Sequence, residues 1–258
     1  MPSTTKEYKS TDGTPLVRLE FDEAKRIWVL VMLGKETPDN RMSHVLIKQG
    51  ILPALRDVRQ QWKDWVASED TGKGAALVTT AEVSNKIFSN GLDLFNAIAD
   101  PYFFNEYLNA MYYELLTFPI PTVAAVGGHA FAAGSCLAFA HDYRVMNAKR
   151  GYICLNEIEF GAKIPRGMYG AIKSVISSKI LQRKLILEGH RFSGKEALDF
   201  GMVDAVADGA EATLEAAIAM ADNLRSRSIK NAWQMNKELI YDDMLSMQFE
   251  PMHLTVKL

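Results

Sequence analysis

The chain has 258 residues, a formal net charge of −2 and a hydrophobic content of 48%. A charge this close to neutral excludes the basic footprint of a nucleic-acid binder, and two cysteines in this length exclude a disulfide scaffold. Length and apolar content suit one large domain, or a domain with an appendage, in a reducing compartment.

Residues 1–12 are polar, contain Glu7 and no arginine, and lack an apolar stretch, so neither a secretory leader nor a mitochondrial presequence is expected. Residues 16–21 alternate apolar and polar side chains and residues 27–33 are nearly all apolar; both predict strands. Pro38-Asp39-Asn40 predicts a turn. Residues 43–65 predict an amphipathic helix with Val45, Ile47, Ile51, Leu55, Val58, Trp62 and Trp65 near one face, and Pro53 is placed to bend it. Short buried strands are expected at 75–79 and 86–89. Residues 101–116 carry aromatics at helical spacing. Residues 122–140 hold no Asp, Glu, Lys or Arg. Their glycines, with Pro119 and Pro121 before them, fit a buried strand, a tight loop and a buried helix better than a membrane span. Strands are expected at 143–146 and 152–155. From Met168 onward the pattern is helical, except near 202–206. Strands alternating with helices, then a helical tail, make an α/β layout.

Three segments carry the chemistry. The first is Phe88-Ser89-Asn90-Gly91-Leu92-Asp93-Leu94. The second is Gly127-Gly128-His129-Ala130-Phe131-Ala132-Ala133-Gly134, running into Ser135-Cys136-Leu137. The third is Leu155-Asn156-Glu157-Ile158. Two backbone N–H groups aimed at one carbonyl oxygen hold the charge of an enolate, and one carboxylate beside them moves a proton on the neighbouring carbon. Taken singly, Gly91, Gly127, Gly128 and Gly134 also read as turn or packing glycines, and Asp93 as a cap. His129 reads as a loop histidine with a backbone partner. Cys136 and Cys154 read as buried small hydrophobes, and Lys163 and Arg166 as exposed charges with a second reading as phosphate contacts.

In their order and spacing these residues resemble the crotonase (enoyl-CoA hydratase/isomerase) superfamily over roughly residues 15–206. The resemblance rests on Phe88-Ser89-x-Gly91-x-Asp93-Leu94, on the run from Pro121 through Gly134 to Asp142-Tyr143-Arg144, and on Phe192-Ser193-Gly194-Lys195-Glu196-Ala197 to Gly201-Met202-Val203-Asp204. It implies a spiral of ββα units in residues 1–200, a helical trimerisation region in 201–258, and an acyl-CoA ligand. It also implies that Leu92 and Ala133 donate the two oxyanion N–H groups, with helix-dipole potential behind Ala133, and that Ser89, Asn90, Gly91 and Gly134 line the substrate. The acyl pocket is implied near Phe95, Tyr102, Phe103, Phe104, Tyr107, Tyr112 and Tyr113.

Hydratases of the superfamily use two glutamates. The position of the first, two residues past the helix-opening glycine, is Cys136 here, and the second matches Glu157. Water addition needs two proton-handling groups, so a single carboxylate points to a proton shuttle. Leu155-Asn156-Glu157 is similar to the segment of the monofunctional Δ3,Δ2-enoyl-CoA isomerases. The region where another isomerase subgroup carries its glutamate reads Gly161-Ala162-Lys163-Ile164-Pro165-Arg166-Gly167, without a carboxylate. Glu157 is the expected base. Glu159 is the rival, since a continuing strand would point it the same way.

The expected activity is isomerisation of 3-enoyl-CoA to trans-2-enoyl-CoA in fatty-acid β-oxidation. The alternatives are another crotonase reaction, or a non-catalytic acyl-CoA binder. No metal or redox cofactor is expected, coenzyme A being part of the substrate. A homotrimer or hexamer is implied. The terminal Val256-Lys257-Leu258 approximates the Ser-Lys-Leu peroxisomal address; the alternative location is the cytoplasm.

Overall fold

The computed structural model describes residues 4–249; Val256-Lys257-Leu258 lies outside the described residues. Two sheets share the strands. The larger contains β1 (Thr4–Lys9), β2 (Pro15–Asp22), β3 (Ile27–Met32), β4 (Ala76–Ala81), β6 (Thr122–Val126), β8 (Tyr143–Asn147) and β11 (Ala205–Ala207), in that spatial order. The smaller has the order β10 (Phe192–Ser193), β9 (Tyr152–Cys154), β7 (His129–Phe131) and β5 (Ile87–Ser89). From β4 to β9 the chain gives one strand to the large sheet and the next to the small one. This is the spiral implied by the resemblance.

Strands β1 to β3 form an antiparallel meander, whereas β3, β4, β6, β8 and β11 are parallel. Parallel strands are covered on both faces and read as continuous apolar runs. Ile27, Ala76, Val78, Val123, Ala125 and Val145 face one way, against Ala217 and Ala221 of the helix Ala210–Leu224. Small residues on both surfaces let that helix approach closely. The alternate residues Trp28, Leu30, Leu77, Ala124, Val126 and Met146 face the main core. Elements beyond residue 200 therefore complete the large sheet and cover its face.

The helix predicted at 43–65 is present with a modification. A wide π turn, Leu46–Ile51, precedes α1 (Leu52–Ala67), which has Pro53 in its first turn. The chain is helical on both sides of Pro53, which has no N–H to give to the preceding turn, and the wide turn falls where the ladder loses that bond. The Ser43 hydroxyl caps the start by accepting from the Leu46 N–H at 2.9 Å.

Two strands differ from expectation. β1 is exposed apart from Tyr8, so it has no apolar alternation to read. β7 lies within what the glycines predict as a loop. Its three residues pair in parallel with both β5 and β9. His129 is consequently a strand residue, and its buried Nδ1 has no hydrogen-bond partner among the described residues. Its ring lies against Phe131 and Tyr152. Among the described residues, no helix is long and apolar enough to cross a membrane.

Candidate active site

The first glycine loop leaves β5 and is tied to the segment before Ser43. Ser89 is fully buried and its hydroxyl donates to the Asn40 carbonyl at 2.8 Å. Asn40 returns the contact, its Nδ2 donating to the Phe88 carbonyl at 3.2 Å. The Asn90 N–H donates to the Asp39 carbonyl at 3.0 Å, and its side chain to Asp39 Oδ2 at 3.1 Å. Ser89 and Asn90 thus have their polar groups engaged in holding the loop. Met42 donates to the Gly91 carbonyl at 2.7 Å and accepts from the Asp93 N–H at 3.4 Å. In such a parallel bridge the residue between the two bonded positions turns its own groups to the other side. That residue is Leu92, whose N–H has no acceptor among the described residues. Asp93 occupies the cap position of α2 (Leu94–Ala99), but its carboxylate accepts from the Asn96 side chain at 2.6 Å rather than from a backbone N–H.

The second loop leaves β7 and opens α4 (Ala133–Phe139), every residue of which is buried. Ala132 joins them at φ 50° and ψ −124°. This is the first central position of a type II′ turn, where glycine is usual. Its N–H donates to the Cys154 carbonyl at 2.8 Å, and its carbonyl accepts from the Cys136 N–H at 3.2 Å. The Ser135 hydroxyl donates to the Ala130 carbonyl at 2.6 Å, with the Cys154 carbonyl 3.1 Å away. The Ala133 N–H is a first-turn group with no acceptor among the described residues, as helix starts leave such donors.

The two loops touch. A β-carbon at Gly91 would lie 2.7 Å from Ala132 Cβ and 3.5 Å from the Ala133 nitrogen. Gly91 has φ +88°, so both conformation and space call for glycine.

Glu157 arrives from the adjacent strand. β9 pairs with β7 through Phe131 and Cys154, then passes buried Leu155 into a 3₁₀ turn, Glu157–Phe160. Glu157 is 6% exposed, and among the described residues it is the only Asp or Glu in the buried class. Its Oε2 is buried without a hydrogen-bond partner among the described residues. Loss of solvent pushes its carboxyl up to about 7, opposed only by its own backbone N–H. Its charge in turn helps raise the fully buried Tyr112 and Cys136, after burial itself. Cys136 therefore lies within electrostatic reach of Glu157.

Glu159 diverges. In a 3₁₀ turn residues two apart point about 120° away from each other rather than sharing a face, and Glu159 is exposed. Its Oε1 lies toward Gly189. Lys163 and Arg166 are exposed and line a surface cleft of about 410 Å³ with Ile158, Ile164 and Tyr169. Among the aromatics, Phe103, Phe104 and Tyr112 are buried, whereas Phe95 and Tyr102 are exposed.

Sequence reasoning passes over three features: the Asn40 tether, the strained Ala132, and Tyr112, whose hydroxyl donates to the Ala133 carbonyl at 3.0 Å. Two unsatisfied donors on touching loops and a nearby unpaired carboxyl that titrates near neutrality can polarise a carbonyl and exchange a proton beside it.

Known proteins resemble the chain in sequence and in fold. A sequence model of the enoyl-CoA hydratase/isomerase family matches residues 66–255. Enoyl-CoA delta isomerase 3 of Arabidopsis thaliana is 33% identical over 62% of this chain and 70% of its own length. The peroxisomal enoyl-CoA delta isomerase 1 of the same plant is 31% identical over 68% and 73%. Among solved structures, an enoyl-CoA hydratase/isomerase family protein from Pseudomonas syringae superposes with a TM-score of 0.73 at 23% identity, covering 90% of this chain and 93% of its own. The spiral of paired strands, the touching glycine loops and the match over residues 66–255 agree, and the chain belongs to the enoyl-CoA hydratase/isomerase (crotonase) family.

Proposed function

We propose that the protein is a Δ3,Δ2-enoyl-CoA isomerase of fatty-acid β-oxidation. The observation that carries this reading is one buried carboxyl, Glu157, with an oxygen unpartnered among the described residues, while the position two past Gly134 holds Cys136 rather than a second carboxylate. The delta-isomerase names of the Arabidopsis relatives support it.

In the proposed reaction the thioester oxygen of a 3-enoyl-CoA accepts from the Leu92 and Ala133 N–H groups. Ionised Glu157 takes a proton from C2. The electron pair of that bond forms a C1–C2 π bond as the carbonyl π pair moves onto the thioester oxygen, giving a dienolate in which C3–C4 is still double. Neutral Glu157 then gives the proton to C4, and the double bond ends between C2 and C3. Atoms and charge balance, and neither a metal nor a redox cofactor takes part; coenzyme A belongs to the substrate. Ser89, Asn90, Gly91 and Gly134 act by holding the loops that present the two donors. Water addition requires a second proton-handling group, and a buried thiol raised by burial is a poor one.

The region after residue 200 is assigned self-association as a homotrimer or a hexamer. The helix α9 (Trp233–Ser246) leaves Met235, Leu239 and Ile240 exposed, and apolar surface of this kind marks interfaces. The proposed location is the peroxisome, a reading that the peroxisomal naming of the Arabidopsis isomerase 1 supports.

Incubation with trans-3-hexenoyl-CoA, followed by the absorbance of the conjugated product, tests the proposal when crotonyl-CoA hydration is run beside it. Fast conjugation with little hydration is expected. Hydration outpacing conjugation assigns the chain to the hydratases, and turnover of neither leaves the acyl-CoA binder or another crotonase reaction.

A further inference from the structure

We propose that Tyr112 is a positioning residue for the oxyanion site, its hydroxyl holding the Ala133 carbonyl, one peptide beyond the Ala133 N–H, so that this N–H stays aimed at the substrate oxygen. The proposal deepens the isomerase reading and rests on it for the assignment of Ala133.

Tyr112 belongs to α3 (Asn109–Leu116), outside both glycine loops. It is fully buried, and among the described residues its phenol makes one hydrogen bond, to the Ala133 carbonyl at 3.0 Å. A tyrosine in an apolar core costs free energy unless its hydroxyl finds a partner. The partner here is the first residue of α4, one peptide beyond the strained Ala132.

The adjoining peptide, Ala132–Ala133, carries the N–H and needs holding. A non-glycine residue at φ 50° and ψ −124° carries strain on the order of 1–3 kcal/mol, and it persists only where surrounding contacts over-determine it. Rotation about Ala132 ψ that relieves the strain also swings the Ala133 N–H. The other contacts on this corner come from residues 130–154: the Ala132 N–H to Cys154, the Cys136 N–H to Ala132, and the Ser135 hydroxyl to Ala130 and Cys154. The first two hold the Ala132 N–H and the Ala132 carbonyl, the latter in the same peptide as the Ala133 N–H, and the third holds the first turn of α4. Tyr112 is the side chain from another element that reaches the Ala133 carbonyl, and it anchors the far side of the residue whose N–H matters. Burial, then Cys136, then the Glu157 charge raise the phenol, so Glu157 lies within electrostatic reach of Tyr112.

Tyr112→Phe keeps the ring and removes the tether. With trans-3-hexenoyl-CoA, kcat is expected to fall about 10- to 100-fold, the scale of a misaimed catalytic donor. KM and the affinity for saturated hexanoyl-CoA stay within about threefold, because one hydrogen bond to a neutral thioester oxygen contributes far less to ground-state binding than to the charged enolate. The pH at which the rate turns up is unchanged, since Glu157 is untouched. Acetoacetyl-CoA gives a second readout independent of isomerisation. Its enolate absorbs in the near ultraviolet, and the band induced on binding to the unaltered protein is weakened in Tyr112→Phe. A second variant guards against a general packing effect. In an Ala132→Gly background the turn no longer needs restraint, so the Tyr112→Phe loss shrinks to less than about threefold.

An unchanged kcat and enolate band overturn the proposal. So does a loss of hexanoyl-CoA affinity in step with kcat, which marks a merely structural role, and so does a full-sized loss in the Ala132→Gly background. Unaltered protein that forms the enolate band without isomerising 3-hexenoyl-CoA sinks the isomerase reading and leaves the tether to be judged on the band alone.

Discussion

Gly134 lies against Ser89 so closely that a β-carbon on residue 134 would stand 2.3 Å from the Ser89 carbonyl oxygen and 2.7 Å from Ser89 Cβ. The obstacle is largely backbone, and Ser89 is itself tied to Asn40. Gly134→Ala must therefore push the two loops apart. Overpacking of this kind costs about 1–3 kcal/mol, and a shift near 1 Å in a reacting geometry costs about 100-fold in rate. Thermal unfolding and kcat should both fall. Unchanged activity would show that the loop junction does not set the oxyanion geometry.

As the proposed base, Glu157 should make activity and stability respond to pH in opposite senses. Its carboxyl stands at about 7 in the fold against an ordinary 4.5. The base must be ionised to begin, so kcat/KM should rise with pH and level off above about 7. A flat profile between about pH 5 and pH 9 removes Glu157 as the base.

The stability sign follows from the same shift. A carboxyl raised by folding contributes stability that is full below the unfolded value and is lost as pH rises through the folded one. At about 1.4 kcal/mol per pH unit, ionised Glu157 costs roughly 3 kcal/mol above neutrality. Glu157→Gln should accordingly raise the denaturant midpoint at pH 8 and leave it nearly unchanged near pH 4, while kcat drops on the order of 1,000-fold. A variant less stable than the parent at pH 8 contradicts the burial argument.

Ala132→Gly should make the protein more stable. Relief of roughly 1–3 kcal/mol of backbone strain outweighs the roughly 0.5–1 kcal/mol that glycine costs through the unfolded chain. A rise in the unfolding midpoint with activity retained is the expected result. A fall means that the Ala132 methyl, packed against Gly91, contributes more than the strain removes.

Lys237 ties the last helix to the spiral. Its ammonium group is 4% exposed, donates to the Leu115 carbonyl at 2.6 Å and meets Asp142 Oδ1 at 2.8 Å. Asp142 also accepts from the Thr122 N–H at 2.8 Å and from its hydroxyl at 2.9 Å. Removing one partner of a buried pair costs about 3–5 kcal/mol, because the other is left charged and underpaired. Lys237→Met should lower the urea midpoint accordingly; an unchanged midpoint would mean that α9 adds nothing to the stability of the core.

Much of this fold was legible because its signals are local. The apolar runs of β3 and β6 and the charge-free α4 read correctly from composition alone, and the glycine spacing located the two loops. What escaped depends on contacts between distant segments. β7 is three residues long and is a strand only because β5 and β9 flank it. Asn40 reads as a turn residue, and its grip on Phe88 and Ser89 has no signature in the sequence. Ala132 gave no warning, since alanine is the wrong residue for its backbone conformation. Tyr112 was one of seven aromatics in a helical stretch, and periodicity cannot say which one carries a directed hydroxyl. Glu157 and Glu159 could not be told apart until the 3₁₀ turn broke the two-residue alternation. Lys237 looked like any lysine on an exposed helix.

The central claim is that one buried carboxyl carries a proton from C2 to C4. It is tested most directly with 3-hexenoyl-CoA deuterated at both C2 positions, turned over in ordinary water and analysed for deuterium at C4 of the product. Deuterium recovered at C4, and lost together with turnover in Glu157→Gln, is the result predicted. Turnover that leaves C4 fully protonated from solvent, or label transfer that survives in Glu157→Gln, would contradict a shuttle on Glu157.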